Sequence, residues 1–430
     1  MRILLIFFIF IHFFINALTW DYYTISATDK NSSTPQISFN DDNEGFAIYA
    51  YNSQILVSKY DTTFESPSVI SGALTTLSSP QISRNTSDEA AAVWLGPGYI
   101  YQSTFDSSEW SDPASISQHT GFDTYTPSSA GVSMNDDGDA IAVWGFYGMS
   151  FPFPEKYAIQ FSKFISPNWS SYSNIISSDF IIYREPRVKY NDFEPSYGMV
   201  VFWDDYNIKA SYYNGSSWST PELISDGGVI SDTANIAFDN SNRAVAVWTA
   251  YNAPTYYIKA ATYDGSDWSS VETLFSSTSH VGENPQVSMN NSGNALVIFS
   301  SDSDDKIRGC KYSSGTWSHT GASAYTLSAS GIDYLDDNVC SVSISSTNEG
   351  IAVWKRNSLA VNLIEASMFN WATDSWDSTE DVQIISDSNY ASRNPRVEIN
   401  SSDISVAVFE QYNGSVYYIR GAVSSDPPPI

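Results

Sequence analysis

The sequence is built from eight copies of a unit of about fifty residues, and each copy repeats the same succession of β-prone runs. Every unit opens on a short run of the type Pro-Gln-Ile, which leads through a polar turn into a nearly unbroken apolar run. The eight openings are Pro35-Gln36-Ile37, Pro80-Gln81-Ile82, Ala130-Gly131-Val132, Pro186-Arg187-Val188, Ala234-Asn235-Ile236, Pro285-Gln286-Val287, Cys340-Ser341-Val342 and Pro395-Arg396-Val397. A chain with this repetition folds as an array of equivalent units.

Each unit is long enough for four strands. The second run, such as Ala244–Trp248, is apolar throughout and predicts a strand buried on both faces. The third run, such as Ile258–Tyr263, alternates and predicts a more exposed strand, and a Trp after the next turn begins a fourth. Because four short strands cannot bury two apolar faces alone, neighbouring units must stack. We therefore predict an all-β fold, an eight-bladed β-propeller of four-stranded antiparallel blades, with seven blades as the alternative.

The two ends of the chain predict how the ring closes. The final unit stops after its third strand, near Tyr417 to Val423, whereas residues 20–26 read as a fourth strand that has no unit of its own. We predict that residues 20–26 complete the last blade and leave no open sheet edge.

Residues 1–17 differ from the rest of the chain. Arg2 precedes an apolar run from Ile3 to Ile15, and Ala17 offers a small residue for cleavage, which is typical of a secretory signal peptide. An uncleaved anchor is the alternative. The remainder, residues 18–430, shows no linker-like change in composition and predicts a single propeller domain that is secreted, extracellular or in the cell envelope.

The charge limits the classes of partner. A formal net charge of −28 argues against binding of nucleic acid or an anionic membrane through a basic surface. We expect an extracellular glycan or protein as the partner, no transmembrane span in the mature chain, and a monomer.

Two features bear on metals and disulfides. The acidic segments Asp41–Gly45 and Asn135–Asp139 carry many oxygen atoms but lack the spacing of a calcium loop, so turn chemistry explains them and weak calcium binding is the alternative. We expect no metal site and no cofactor. Cys310 and Cys340 fall in adjacent units, where either a bridge or two buried thiols fits the pattern.

The thirteen Trp residues recur at fixed positions of the unit, which favours packing between strands or blades over sugar stacking. Replacing Trp218 by Ala is expected mainly to destabilise the fold, since each buried aromatic contributes about 2–3 kcal/mol.

The turns before the fourth strands resemble a known motif. Tyr263-Asp264-Gly265-Ser266-Asp267-Trp268-Ser269 is similar to the Asp-box turn of sialidase-like propellers, although the Ser, Asp and Gly positions are displaced. The resemblance implies a propeller fold. It also implies an arginine triad for a substrate carboxylate, a Tyr nucleophile paired with Glu, and an acidic proton donor. Tyr183-Arg184-Glu185-Pro186 resembles the Phe/Tyr-Arg-Ile-Pro element of those enzymes, but has Glu at the apolar position and lies in mid-chain.

Ligand contacts are expected on the face where connections between second and third strands and between blades meet. The candidate ligand-binding residues are aromatic residues of the insertion at 145–156 and residues around two first-strand openings: Tyr147, Phe151, Phe153, Tyr183, Arg184 and Arg393. Converging guanidinium groups suit a carboxylate. Arg187 and Arg396 begin regular strands, which favours a structural role for them.

Two functional hypotheses follow. The first is a secreted, noncatalytic propeller that binds glycan or protein ligands through its loop face, because no complete catalytic set is recognisable. The alternative is a sialidase-like glycoside hydrolase, for which turnover abolished by Arg184→Ala would be the expected sign. No catalytic residue can be assigned from the sequence.

Overall fold

Eight antiparallel β-sheets of four or five strands contain nearly all the regular structure. The computed structural model describes residues 19–117, 124–149, 155–179, 182–191, 197–227, 229–278, 285–301, 305–329, 340–357 and 361–425. First strands of neighbouring blades pack together, and blade 8 packs on blade 1, so the sheets form a ring. The prediction of an all-β, eight-bladed propeller is confirmed.

The first three strands of each blade run in chain order from the centre outwards. The first strands are Ser32–Phe39, Ser78–Arg84, Thr124–Met134, Tyr183–Tyr190, Ile230–Phe238, Gln286–Met289, Cys340–Ile344 and Ser392–Ile399. The second strands are Glu44–Tyr51, Glu89–Gly96, Ala140–Met149, Gly198–Asp204, Ala244–Asn252, Ala295–Ser301, Gly350–Arg356 and Ser405–Tyr412. The third strands are Gln54–Asp61, Tyr99–Asp106, Lys156–Ile165, Asn207–Tyr213, Thr255–Tyr263, Lys306–Ser313, Leu363–Asn370 and Tyr417–Ser425.

The outer strands are shorter and in several blades are split. In blades 1 to 7 they are Thr63–Phe64, Ser68–Val69, Ala114–Ser115, Asn168–Trp169, Ser173–Ser178, Glu222–Leu223, Glu272–Ser277, Thr316–Ser318, Tyr325–Thr326, Ser375–Trp376 and Gln383–Ile384. One 3-10 helix, Gly321–Ser323, is the only helix of the described residues. No helix in this described part is long and apolar enough to span a membrane.

The amino-terminal strand closes the ring as predicted. Thr19–Thr24 pairs with the third strand of blade 8, from Thr19 opposite Ser425 to Thr24 opposite Arg420. The backbone N–H of Ile25 donates to the carbonyl oxygen of Ile419 at 2.9 Å, and Ile25 is 3% exposed. Residues 1–17, the predicted signal peptide, lie outside the described residues.

The apolar second strands form the core between blades. Trp94, Trp144, Trp248 and Trp354 near their ends are fully buried. The Trp residues that follow the third strands are mostly partly buried and pack against the edge of this core; the ring centroid of Trp218, for example, lies 5.3 Å from that of Tyr213. The two thiols are buried and unbridged, and burial raises the pKa of both Cys310 and Cys340 to about 12.

A chain of side-chain to backbone hydrogen bonds connects the first strands of successive blades. Ser83 Oγ, for example, accepts from the backbone N–H of Met134 at 3.0 Å, across the seam between blades 2 and 3. Ser38, Ser133, Ser288 and Ser343 do the same at four other seams. At the seam between blades 8 and 1 the acceptor is the carboxylate of Glu398, 2.6 Å from the backbone N of Phe39.

Ser83→Ala tests this seam bond. The substitution removes the acceptor of a hydrogen bond at the ring interior, and we expect a loss of about 1 kcal/mol in the free energy of unfolding. Urea unfolding of the variant measures it, with exposed Ser68→Ala as the control. Equal stability of the two variants would contradict a stabilising role for the bond.

The acidic turns connect first strands to second strands, and they join neighbouring blades at the end of the ring where first strands end. Asp136 Oδ1 accepts from the backbone N–H of Thr86 at 3.1 Å, and Asp41 Oδ1 accepts from that of Ser401 at 2.7 Å. The interpretation of these segments as turns fits this geometry, since their oxygen atoms serve adjacent blades. Calcium binding there stays an untested alternative.

Candidate functional site

The first strands line a channel on the ring axis with a volume of about 290 Å³. Each blade contributes to its wall the residue at the middle position of its opening run, because alternate side chains of a strand lie on one face. These eight residues are Gln36, Gln81, Gly131, Arg187, Asn235, Gln286, Ser341 and Arg396. The wall is thus polar and carries two guanidinium groups.

The channel continues into a second cavity, of about 250 Å³, on the side where first strands begin and second strands end. This side is called the loop face below, and the cavity is called the channel mouth. The channel mouth is lined by Thr34, Pro35, Gln36, Ser79, Gln81, Leu95, Ser129, Ala130, Arg187, Asn394 and Arg396. The described lining contains two cations, several amides and hydroxyls, and no carboxylate.

A repeated backbone irregularity shapes the channel mouth. In six blades the register between first and second strands shifts just before the opening run, as between Ser33 and Gln36. The residue within each bulge has a positive φ without being Gly: Thr34, Ser79, Ser129, Glu185, Thr233 and Asn394. Such residues are uncommon and concentrate at functional sites, and bulges re-aim side chains.

Arg187 and Arg396 stand on opposite sides of the channel mouth, because blades 4 and 8 are four steps apart in a ring of eight. Arg396 Nε donates to Gln36 Oε1 at 3.3 Å, and its Nη1 donates to the carbonyl oxygen of Pro395 at 2.9 Å. Burial lowers the pKa of the Arg187 guanidinium, against the opposing effect of the negative charge of Glu185, and the Arg187 side chain takes part in no hydrogen bond or salt bridge among the described residues. A guanidinium so placed is suited to binding an anion.

Deeper in the channel, Lys189 of blade 4 and Glu398 of blade 8 contribute to the wall. Burial raises the pKa of Glu398 to about 7, against the opposing effects of the Phe39 N–H and of the positive charges of Lys189 and Arg84. The same carboxylate joins blade 8 to blade 1.

Glu398→Gln is expected to change how stability depends on pH. Since the folded pKa lies above that of the unfolded chain, folding is favoured by protonation, and wild-type stability falls as pH rises from the ordinary Glu value towards about 7. The glutamine variant lacks this titration but keeps an acceptor for Phe39. The unfolding free energy of the variant minus that of wild type should therefore increase as the pH is raised from acidic values to about 8. Urea unfolding at several pH values measures this difference. Unfolding free energies of wild type and variant that change in parallel with pH would contradict the raised pKa of Glu398.

Of the candidate residues from the sequence, Arg184 lies outside the channel on the loop face. Its guanidinium carbon lies 4.2 Å from the ring centroid of Trp203. Its side chain is 46% exposed, with carboxylate oxygens of Glu185 and Asp232 at 3.8 and 3.9 Å. The adjacent Tyr183 is 5% exposed and belongs to the core between blades 3 and 4.

Arg393 occupies the same position in blade 8 and is held more tightly. Its Nε donates to Oε2 of the fully buried Glu410 at 2.7 Å, and its guanidinium carbon lies 3.9 Å from the ring centroid of Tyr417. Glu410 Oε1 also accepts from the backbone N–H of Thr34 at 2.9 Å. Arg393 therefore contributes to the seam between blades 8 and 1 as well as to the surface.

Tyr147 lies near the end of the second strand of blade 3, on the loop face. Its hydroxyl donates to Glu155 Oε1 at 3.2 Å, and its ring centroid lies 5.1 Å from that of Tyr157. Phe151 and Phe153 lie outside the described residues, so the rest of this aromatic insertion stays a prediction.

The structure places three residues differently from the sequence interpretation. Arg187 and Arg396, interpreted from the sequence as structural, line the channel and its mouth, whereas Tyr183 is in the core. The channel-lining residues could have been identified from the alignment of the eight openings, since the residues at their middle positions form the lining.

Comparisons with known proteins identify no family. No protein-family model matches the chain, and no curated protein matches it at a significant level. Among solved structures, the NanB sialidase of Streptococcus pneumoniae is 11% identical, with 95% of each chain covered and a TM-score of 0.41. An ulvan lyase of polysaccharide lyase family PL25 is 9% identical, with 85% of this chain and 95% of that chain covered and a TM-score of 0.47. A fucose-binding, six-bladed lectin from Aleuria aurantia is 10% identical, with 66% and 94% covered and a TM-score of 0.38. These values are too low to assign a function to this chain.

Proposed function

We propose that this protein is an extracellular, noncatalytic propeller that binds acidic glycans at the channel mouth of its loop face. The observation that carries the proposal is the composition of that cavity. Arg187 and Arg396 line it together, and none of its described lining residues is acidic, in a chain with a net charge of −28.

The chemistry of the lining suits a carboxylate or sulfate group. Arginine presents its donors in a planar fork that matches the oxygens of such groups, and charge-assisted hydrogen bonds are the stronger ones. Because the two arginines come from opposite blades, a ligand between them would contact both blade 4 and blade 8.

Neutral groups around the arginines favour a sugar as the carrier of that anion. Gln36, Gln81 and Asn394 offer amides, and Ser79 and Ser129 offer hydroxyls, at the same cavity. Aromatic pairs border the loop face at hairpins between second and third strands; the ring centroids of Tyr251 and Tyr256, for example, are 4.5 Å apart. Sites of this kind combine aromatic faces with a few polar groups that fix orientation.

The alternative is a sialidase-like glycoside hydrolase. Such an enzyme would share the converging arginines but would also need acid and base groups at the reacting bond. The described lining of the channel mouth contains no Asp or Glu, and the one carboxylate in the described lining of the adjoining channel, Glu398, accepts from the backbone N–H of Phe39 at the seam between blades 8 and 1; both features favour a binding protein over the hydrolase.

A glycan array that contains acidic and neutral glycans, run beside a panel of fluorogenic glycosides, tests the proposal. We expect saturable binding of uronate- or sialate-bearing glycans without turnover. Arg187→Gln and Arg396→Gln should each weaken binding roughly tenfold or more, since a hydrogen bond to a charged group contributes about 1.5–3 kcal/mol. Lys306→Gln, which removes a cation at the start of the third strand of blade 6, is the control.

Two results would overturn the proposal. Turnover of a glycoside that Arg187→Gln abolishes would favour the hydrolase. Acidic-glycan binding that survives both channel-mouth substitutions would place the ligand elsewhere on the protein.

A further inference from the structure

The sequence Arg-x-Pro-Arg-Val occurs twice in the chain, at Arg184–Val188 and at Arg393–Val397. None of the other six openings carries Arg at either position, and these two copies account for four of the chain's ten arginines. The copies belong to blades 4 and 8, which face each other across the ring. The arginines of both copies therefore lie on one diameter of the loop face.

Along this diameter two of the four arginines lie near the ring axis and two lie farther out. Arg187 and Arg396 line the channel mouth at the centre. Arg184 and Arg393, three residues earlier in each copy, lie farther out, with side chains that are 46% and 41% exposed. The order across the face is Arg184, Arg187, Arg396 and Arg393.

Both outer arginines lie on aromatic rings. Arg184 stacks on Trp203, beside which the ring of Tyr206 is 55% exposed at a centroid distance of 5.5 Å. Arg393 stacks on Tyr417, whose ring lies 5.2 Å from that of Tyr412. Stacking restricts the motion of the two guanidinium groups, and the adjacent tyrosine faces suit sugar rings.

Three carboxylates contact the two outer arginines; the charge of Glu185 also acts on Arg187, and Glu398 lines the channel together with the inner pair. Glu410 is fully buried beneath Arg393, so it fixes that arginine and is not exposed to a ligand. Glu185 and Asp232 approach Arg184 only at 3.8 and 3.9 Å, a separation at which exposed pairs contribute little. The diameter thus carries a strip of four guanidinium groups on a strongly acidic protein, with Glu185 and Asp232 beside Arg184 and with Glu398 deeper in the channel.

We propose that this strip binds a linear polyanionic polysaccharide, which crosses the loop face from blade 4 over the channel mouth to blade 8. The inference rests on the proposed function and adds that the ligand is an extended chain with repeated anionic groups, in place of a glycan with one terminal acid. Charge complementarity selects the polyanion, and the tyrosines at both ends select a carbohydrate.

The test uses linear oligogalacturonates of two and eight sugars, with binding to the full protein measured by calorimetry at fixed ionic strength. The octamer should bind wild type roughly tenfold more tightly than the dimer, because only the octamer reaches an outer arginine. Arg184→Gln should weaken octamer binding about fivefold, the upper range for a partly exposed charged contact. Lys306→Gln removes a cation from blade 6, midway round the ring and off the diameter, and should change octamer binding less than about twofold.

Blade 8 needs a different variant, because loss of Arg393 alone leaves Glu410 buried without its partner. The pair Arg393→Gln with Glu410→Gln removes the ion pair as a unit. Thermal melting checks that it is folded, and it should weaken octamer binding as Arg184→Gln does.

The outcomes separate this inference from the proposed function. Dimer and octamer binding of equal strength, lost in Arg187→Gln, would overturn the extended chain and leave the acidic-glycan site standing. No binding of either oligomer or of any acidic glycan on the array would overturn both. Equal losses in Arg184→Gln and Lys306→Gln would show nonspecific attraction and overturn the strip. Tighter, Arg184-dependent binding of a polyglutamate peptide of equal charge would overturn the carbohydrate assignment.

Discussion

A chain that lacks residues 19–26 is expected to lose its stable monomeric fold. The deletion removes the strand Thr19–Thr24, which pairs with the third strand of blade 8 over six residues, and it removes the buried Ile25. Burial of one Ile side chain contributes about 1.5–3 kcal/mol and each ladder bond about 0.5–1.5 kcal/mol. The combined loss, on the order of 5 kcal/mol or more, is comparable with the whole stability of many domains.

The deletion also exposes an unpaired sheet edge on blade 8, which favours association with other chains. Thermal melting and light scattering of the truncated protein measure both effects.

Two single substitutions test the same segment without removing it. Ile25→Ala should lower the free energy of unfolding by about 2–4 kcal/mol, whereas Tyr22→Ala, at a side chain that is 49% exposed, should lower it by less than about 1 kcal/mol. A truncated monomer that melts like the intact protein would refute closure by this strand.

Arg393→Ala is expected to destabilise the fold by about 3–5 kcal/mol, the cost of leaving a buried charge without its partner. Glu410, the partner, is fully buried and also accepts from the backbone N–H of Thr34 and from Asn394 Nδ2 at 2.7 Å. The substitution therefore disturbs the seam between the last and first blades.

Arg184→Ala is the matched control, since it removes the arginine at the same repeat position of blade 4. Its carboxylate neighbours are partly exposed and 3.8–3.9 Å away, so we expect a loss of less than about 1 kcal/mol. Urea unfolding of the two variants gives the comparison. Adding Glu410→Gln to Arg393→Ala should restore part of the lost stability. Equal losses of unfolding free energy in Arg184→Ala and Arg393→Ala would contradict the claim that leaving the buried Glu410 unpaired destabilises the fold.

The architecture was predictable because it depends on features that repeat. Eight openings predicted eight blades, and a leading fourth strand opposite an incomplete final unit predicted how the ring closes. Apolar second strands, such as Ala244–Asn252, follow directly from the burial of both sheet faces between blades.

The site was less predictable, because it depends on where single side chains point. The bulge at Glu185, with its φ of 56°, separates Arg184 from Arg187 in the strand register, so only the latter reaches the channel mouth. Arg393 has a buried partner in the next strand, where the charged Glu410 interrupts the strand directly after the apolar run Val406–Phe409. That interruption was a signal of an ion pair, but its partner became evident only from the pairing of the strands.

The central claim is that the ligand lies at the channel mouth on the loop face. A crystal structure of the full protein with octagalacturonate bound tests it most directly. The account predicts a carboxylate of the sugar within hydrogen-bonding distance of Arg187 or Arg396, with the chain directed towards blades 4 and 8. A chain bound on the outer rim or on the opposite face, with the channel mouth empty, would contradict it.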